Sequence, residues 1–163
     1  MATIDMTRHQ GSAGVALVEL SSRKQQHYIV RTDIKAEQSE DGDIVSFIEK
    51  RFPYKPTMAE IKEFVLGVID EQVKAKIISG MTWHNKPVWL SIENQLNFSA
   101  ATAPVTLKIG EDADMTAIYH EFQTAAELEA FDAACNAWKQ LCLTDGWAKK
   151  DAVDWDVYEE QLA

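Results

Sequence analysis

Residues 80–101 read GMTWHNKPVWLSIENQLNFSAA, and they hold two of the chain's five tryptophans and one of its four histidines. Whether this stretch builds a site or a scaffold decides the fold. Met81-Thr82-Trp83 and Val88-Trp89-Leu90 flank the turn-rich tetrad His84-Asn85-Lys86-Pro87, which predicts a short β-hairpin. Two indoles give so small a sheet the apolar area it needs to pack. Ser91 suits an N-cap, opening a helix with Ile92, Leu96 and Phe98 as apolar anchors and Asn94, Gln95 and Asn97 facing outward. No Asp, Glu or Cys stands near His84 at the spacing of a metal set or a catalytic triad. The stretch reads as architecture.

Upstream, Pro53 and Pro56 disfavour helix for the residues before them and make 51–56 an extended connector. Thr57-Met58-Ala59-Glu60 is a capping box. Ile61, Phe64, Val65, Val68, Ile69, Val73 and Ile77 then recur at three- and four-residue steps, a helical stripe that Gly80 ends as a C-terminal cap. Gly67 inside the stripe marks a close approach. Earlier still, HYIVRTDIKAEQSEDGDIVSFIEKRF (27–52) predicts two strands and a turn at Ser39-Glu40-Asp41-Gly42-Asp43. Tyr28, Val30 and Ile34 share one alternating register, with Phe47 and Phe52 on the returning strand. A calcium loop counted from Glu37 would need an acid at its twelfth position, where Ile48 stands, so that reading fails.

Downstream, Val105-Thr106-Leu107-Lys108-Ile109 alternates as a strand, Gly110–Asp114 turns, and Met115–Phe122 returns. The acids of that turn read as a solvated hairpin tip rather than an ion site. Thr124-Ala125-Ala126-Glu127 is a second capping box. It launches a helix whose Leu128, Phe131, Cys135, Trp138 and Cys142 share one face, ending at Asp145-Gly146. The acidic closing segment is pinned by Trp147, Trp155 and Tyr158. Seven residues of helix separate Cys135 from Cys142 by roughly 10 Å, too far for a disulfide, so both read as buried thiols of a reducing compartment.

The net charge of −10 is uneven: residues 104–163 carry 13 acids against four Lys and no Arg. Such a surface repels phosphate backbones and anionic headgroups, so neither nucleic acid nor membrane is expected as a partner. The apolar run Val15–Leu20 is short and interrupted by Glu19, unlike a signal-peptide core, so synthesis in the cytoplasm is expected. Phosphate-binding glycine loops, His-Glu-x-x-His and a nucleophile elbow are all missing from the sequence. His9, His27, His84 and His120 lie in separate elements, and strand neighbours His120 and Glu121 point to opposite faces. No catalytic residue, cofactor or metal ligand is expected, and an enzyme is not.

From Thr57 onward the order of parts runs capping-box helix, SGMTWHNKPVWLSIENQLNF, VTLKIG…YHEF hairpin, then TAAELEAFDAACNAWKQLCLTDGWAKKDAVDW. Over residues 57–155 this resembles the small domain of unknown function found in tail-fibre and tail-fibre-assembly proteins of tailed phages and bacterial prophages. The resemblance implies a non-enzymatic role in tail-fibre assembly or as a tail component, in a bacterial cytoplasm or a virion. Its implied partners are tail proteins or copies of the chain itself. A free-standing peptide-binding module using the edge of the 28–52 hairpin is the alternative. A small enzyme built on His120 and the acidic tail is the third reading, to be revived only by buried carboxylates in a pocket.

The expected fold is α+β, with antiparallel hairpins packed against two main helices plus a short one. Residues 1–55 form an N-terminal hairpin region and residues 56–163 an α+β domain, or the two are continuous. Trp83, Trp89, Leu90, Leu96, Phe131 and Trp138 are the residues expected to define the core.

Overall fold

The computed structural model describes residues 3–40 and 42–163. The chain is α+β, with antiparallel sheets and helices as the pattern of periods predicts. Strands β1 (Arg8–Ser12), β2 (Val18–Ser22), β3 (His27–Ser39) and β4 (Gly42–Phe52) come first, followed by helix α1 (Met58–Ser79). The hairpin β5 (Met81–Trp83) and β6 (Lys86–Val88) leads into α2 (Ile92–Ala100). The hairpin β7 (Val105–Glu111) and β8 (Ala117–Phe122) leads into α3 (Ala125–Asp151), and α4 (Trp155–Leu162) closes the order. Two compact units result: residues 1–71 with 149–163, and residues 72–148. The division falls inside α1 and α3 rather than at the 55/56 connector, because the stripe of α1 completes the core of the N-terminal sheet.

In the first unit the sheet order is β1-β4-β3-β2. β1 and β2, which the alternation of residues 8–22 was too weak to announce, pair along the outer sides of β4 and β3. The flanks of the 28–52 hairpin are thus occupied at 44–48 and 27–30. Along β3 the pairing with β2 ends at Val30, so among the described residues 32–39 have β4 alone as a strand partner. Val18, Val30, Ile48 and Phe52 from one sheet face meet Ile61, Phe64, Val65 and Val68 of α1, with Tyr158 of α4 in the same cluster. Gly67 lets the tip of the Ile4 side chain rest against the helix; a Cβ there would push that terminal methyl aside. The capping box forms as expected: Glu60 N–H donates to Thr57 Oγ1 at 3.2 Å, and Thr57 N–H to Glu60 Oε2 at 2.8 Å.

One register expectation fails. Between Thr32 and Lys35 the β3–β4 pairing slips, and Asp33 takes a positive φ of 52°. A one-residue slip turns side chains to the other face, so Ile34 leaves the register of Tyr28 and Val30 and stands 38% exposed. Arg8 clasps the bulge, donating to the Asp33 carbonyl at 2.9 Å and to Ser46 Oγ at 2.8 Å. The residue Asp41 of the expected turn, and with it the middle of the rejected calcium loop, lies outside the described residues.

Because β1 and β2 occupy opposite edges, residues 13–17 must cross the sheet between them. Val15 rests near Gly11, whose own Cβ position is crowded by Val15 and Phe47. Arg31 fastens the crossing: its backbone N–H donates to the Leu17 carbonyl at 2.7 Å and its Nη1 to the Ala16 carbonyl at 3.0 Å. α4 adds a second fastening, since Gln161 Oε1 accepts from the N–H groups of Leu17 and Val18.

The second unit has its own core of Trp83, Val88, Leu90, Phe98, Ile109, Phe122, Leu128, Phe131 and Cys135. Gly80 ends α1 with φ +84°, and no Cβ would fit there against the Val88 carbonyl. The helix expected to stop at Asp145-Gly146 runs on to Asp151. Gly146 is a packing position instead, with Val73 where a side chain would go. Trp147, expected to pin the closing segment, is 53% exposed, whereas Tyr158 is buried.

Candidate functional site

The second unit presents two features with chemical content: an outward apolar surface at α2 and a polar cluster at the β5–β6 tip.

The hairpin tip is tighter than the expected tetrad. His84 and Asn85 alone form the turn, both with positive φ (47° and 61°), while Lys86 and Pro87 belong to β6. Such a two-residue turn matches the twist of the flanking strands. It turns Trp83 into the core and leaves Trp89, one residue beyond the strand, 42% exposed. Trp89 N–H donates to the Ile109 carbonyl at 2.8 Å, joining β6 to β7.

α2 then sits the other way round from the expectation. Ser91 is the N-cap, its Oγ accepting from Asn94 N–H at 3.2 Å. Asn94 Nδ2 donates to the Trp89 carbonyl at 3.0 Å and Gln95 Nε2 to the Leu90 carbonyl at 2.7 Å. These two amides turn inward with Phe98, the helix's buried residue. Ile92 and Leu96, one turn apart, face solvent at 69% and 64% exposure. Of the six expected core-defining residues, Trp83, Leu90 and Phe131 are buried, Trp138 is half-buried, and Trp89 and Leu96 are not in the core.

A cleft of about 760 Å³ opens beside the same hairpin, lined by Gly80, Met81, Thr82, Pro87, Trp138 and Leu141 among others. None of the residues lining it is titratable. It can receive apolar groups, and its polar side chains are the hydroxyls of Ser79 and Thr82.

The polar cluster was not expected. His120 on β8 meets Glu127 in the first turn of α3, with Nε2 and Oε1 2.8 Å apart. Its other nitrogen, Nδ1, is 3.4 Å from Lys86 Nζ. Trp83 presents its ring to the imidazole edge-on at 5.0 Å between centroids, and His84 stacks on the same indole at 4.1 Å. Glu127 also accepts from Gln123 N–H at 3.1 Å while its own N–H donates to Thr124 Oγ1 at 3.2 Å. The hydrogen bond from His120 and then that from the Gln123 backbone hold the Glu127 carboxyl below its usual range. His120 therefore finds its carboxylate seven residues on, across a turn, rather than in its strand neighbour Glu121. The signal was the capping box itself, whose glutamate is drawn back toward the residues before the helix.

Cys135 and Cys142 are free and buried, and burial pushes the Cys135 thiol up to about 11. Among the described residues no group of three or more His, Cys, Asp or Glu is placed to hold a metal ion. No helix among them is long and apolar enough to cross a membrane. Comparison with protein families, curated proteins and solved structures finds no match to this chain.

Proposed function

We propose that this chain is a non-enzymatic assembly protein that binds another protein through the α2 surface. Tail-fibre or other tail proteins are the partner class that the motif order of residues 57–155 implies. One observation carries the reading: within the stretch that bears the resemblance most densely, Trp89, Ile92 and Leu96 are turned to solvent. Apolar side chains gathered on one exposed helix face mark an association surface. Three such residues in one stretch of 22 are hard to explain as solubilising surface, whereas aromatic and aliphatic anchors supply most of the energy of protein interfaces. The cleft, mostly apolar and without titratable groups, fits the same role.

The test is co-expression of the chain with the tail-fibre protein encoded in the same genome, followed by size-exclusion chromatography with light scattering. The wild-type chain is expected to form a complex or to promote fibre assembly. The double substitution Ile92→Glu, Leu96→Glu is expected to abolish this while leaving the circular dichroism unchanged. A wild-type chain that ignores every tail protein of its genome, or a double variant that binds as well as wild type, refutes the proposal.

A further inference from the structure

The contacts of His120 constrain where its protons sit. A lysine ammonium has three donors and no acceptor. Lys86 can therefore hydrogen-bond to His120 Nδ1 only while that nitrogen carries a lone pair. The other nitrogen, Nε2, must then hold the ring proton, and it donates to Glu127 Oε1 at 2.8 Å. Both contacts coexist only in the neutral ring of that one tautomer.

Adding a proton changes one contact and not the other. The Nε2 bond to Glu127 becomes charge-assisted and shortens or strengthens. At Nδ1 a new N–H faces the Lys86 ammonium, so a hydrogen bond at 3.4 Å becomes two donors and two cations at that distance. Lys86 must leave. It stands on β6 directly after the His84-Asn85 turn, so its departure removes the polar tie between the hairpin tip and β8 while Trp83 stays packed in the core. From the geometry we infer that Glu127, His120 and Lys86 form a pH-operated latch on the β5–β6 hairpin, closed when His120 is neutral and open when it is charged.

The surroundings support a change at His120 itself. The β5–β6 hairpin places Lys86 against it and His84 near Glu127, α3 places Glu127, and β7 offers Leu107 as register partner. On β8 the neighbouring Glu121 points to the opposite face. The carboxyl of Glu127, held low by its hydrogen bonds, stays an anion where imidazoles change charge, between about pH 5 and 8. The hairpin also supplies Met81, Thr82 and Pro87 to the apolar cleft, so opening the latch alters that cleft's wall. This inference stands whether or not the α2 surface binds a tail protein.

The experiment is NMR of the full chain. Long-range ¹H–¹⁵N spectra read the tautomer of His120, and amide exchange gives protection factors for Trp83 and Lys86 at pH 7.5 and 5.5. The expected results are the Nε2–H tautomer at pH 7.5 and protection that falls several-fold at pH 5.5. Lys86→Met removes the donor to His120 Nδ1 and so the latch itself. Hairpin protection in that variant should be low at both pH values. His84→Asn, which keeps a residue tolerant of the left-handed backbone, should retain the whole pH response. An Nδ1–H tautomer in the wild-type protein overturns the latch. So does protection independent of pH, or a response lost in His84→Asn and kept in Lys86→Met.

Discussion

Replacing Arg31 by Met should destabilise the first unit through a stranded buried charge. Arg31 has a side chain 9% exposed, with Nη1 2.7 Å from Glu19 Oε2 and Nε 3.4 Å from Glu49 Oε2. Its guanidinium also lies 5.0 Å over the Phe47 ring. Met keeps most of the stem and its packing but removes the charge. Glu19, 48% exposed, can turn to water and loses little. Glu49, at 7%, cannot; its remaining ion pair among the described residues would be with Arg51, itself 77% exposed. The Ala16 carbonyl loses its donor as well. A buried ion left without its partner costs about 3–5 kcal/mol, and a lost donor about 1 kcal/mol. The upper part of that range assumes a fully dry site, so its lower end plus the lost donor, about 4 kcal/mol, is expected. Urea unfolding should show this as a lower midpoint at unchanged slope. Adding Glu49→Gln to the Met variant should then recover part of the loss, because the stranded anion becomes neutral. If Arg31→Met costs under about 1 kcal/mol, or the second change only adds to the damage, the crossing of residues 13–17 is not held by a buried charge.

The orientation of α2 makes opposite demands on two apolar residues two positions apart. Leu96→Ala should change stability by less than about 0.5 kcal/mol, while Phe98→Ala, at a residue 3% exposed, should cost about 3–5 kcal/mol; equal costs in denaturant unfolding would mean the helix is rotated. Alkaline pH should weaken the second unit through Cys135. Burial raises this thiol in the folded state to about 11, so its contribution is fully present below the unfolded value of about 8.5 and is lost as pH rises through about 11. Cys135→Ala should flatten that part of the stability–pH curve, and an unchanged alkaline slope would refute the assignment.

The features legible in the sequence are those set within one turn of helix or one strand. Thr57 and Glu60, and Thr124 and Glu127, announced helix starts because both partners of a capping box lie three residues apart. The stripe of α3 held from Leu128 to Cys142 because five apolar residues at steps of three and four leave a single burial solution. α2 departs from its expected orientation for the same geometric reason. Ile92 and Leu96 share a face, but Phe98 lies about 200° round the helix from Leu96, so all three could not be anchors. Only one face could be buried. The amides of Asn94 and Gln95, which close the Trp89 and Leu90 carbonyls, fall on the side of Phe98. Polar residues that satisfy a chain's own backbone are inward residues, and a hydrophobicity pattern alone ranks them as outward.

The features that stayed hidden depend on partners far apart in the chain. Arg31 binds a carbonyl 15 residues before it and receives the Tyr158 hydroxyl on its own carbonyl from 127 residues after. His120 looked isolated because only its sequence neighbours were available, and Lys86 lies 34 residues away. Both residues share a property that makes them informative once the fold is in place: each is a donor or acceptor whose requirements its own strand cannot meet. Arg31 meets them with carboxylates and carbonyls from β2, β4 and the crossing segment, so its cost is thermodynamic and appears as stability. His120 meets them through a single arrangement of protons, so its cost is conditional and appears with pH. That difference separates the structural core of the first unit from the part of the second that can respond to its surroundings.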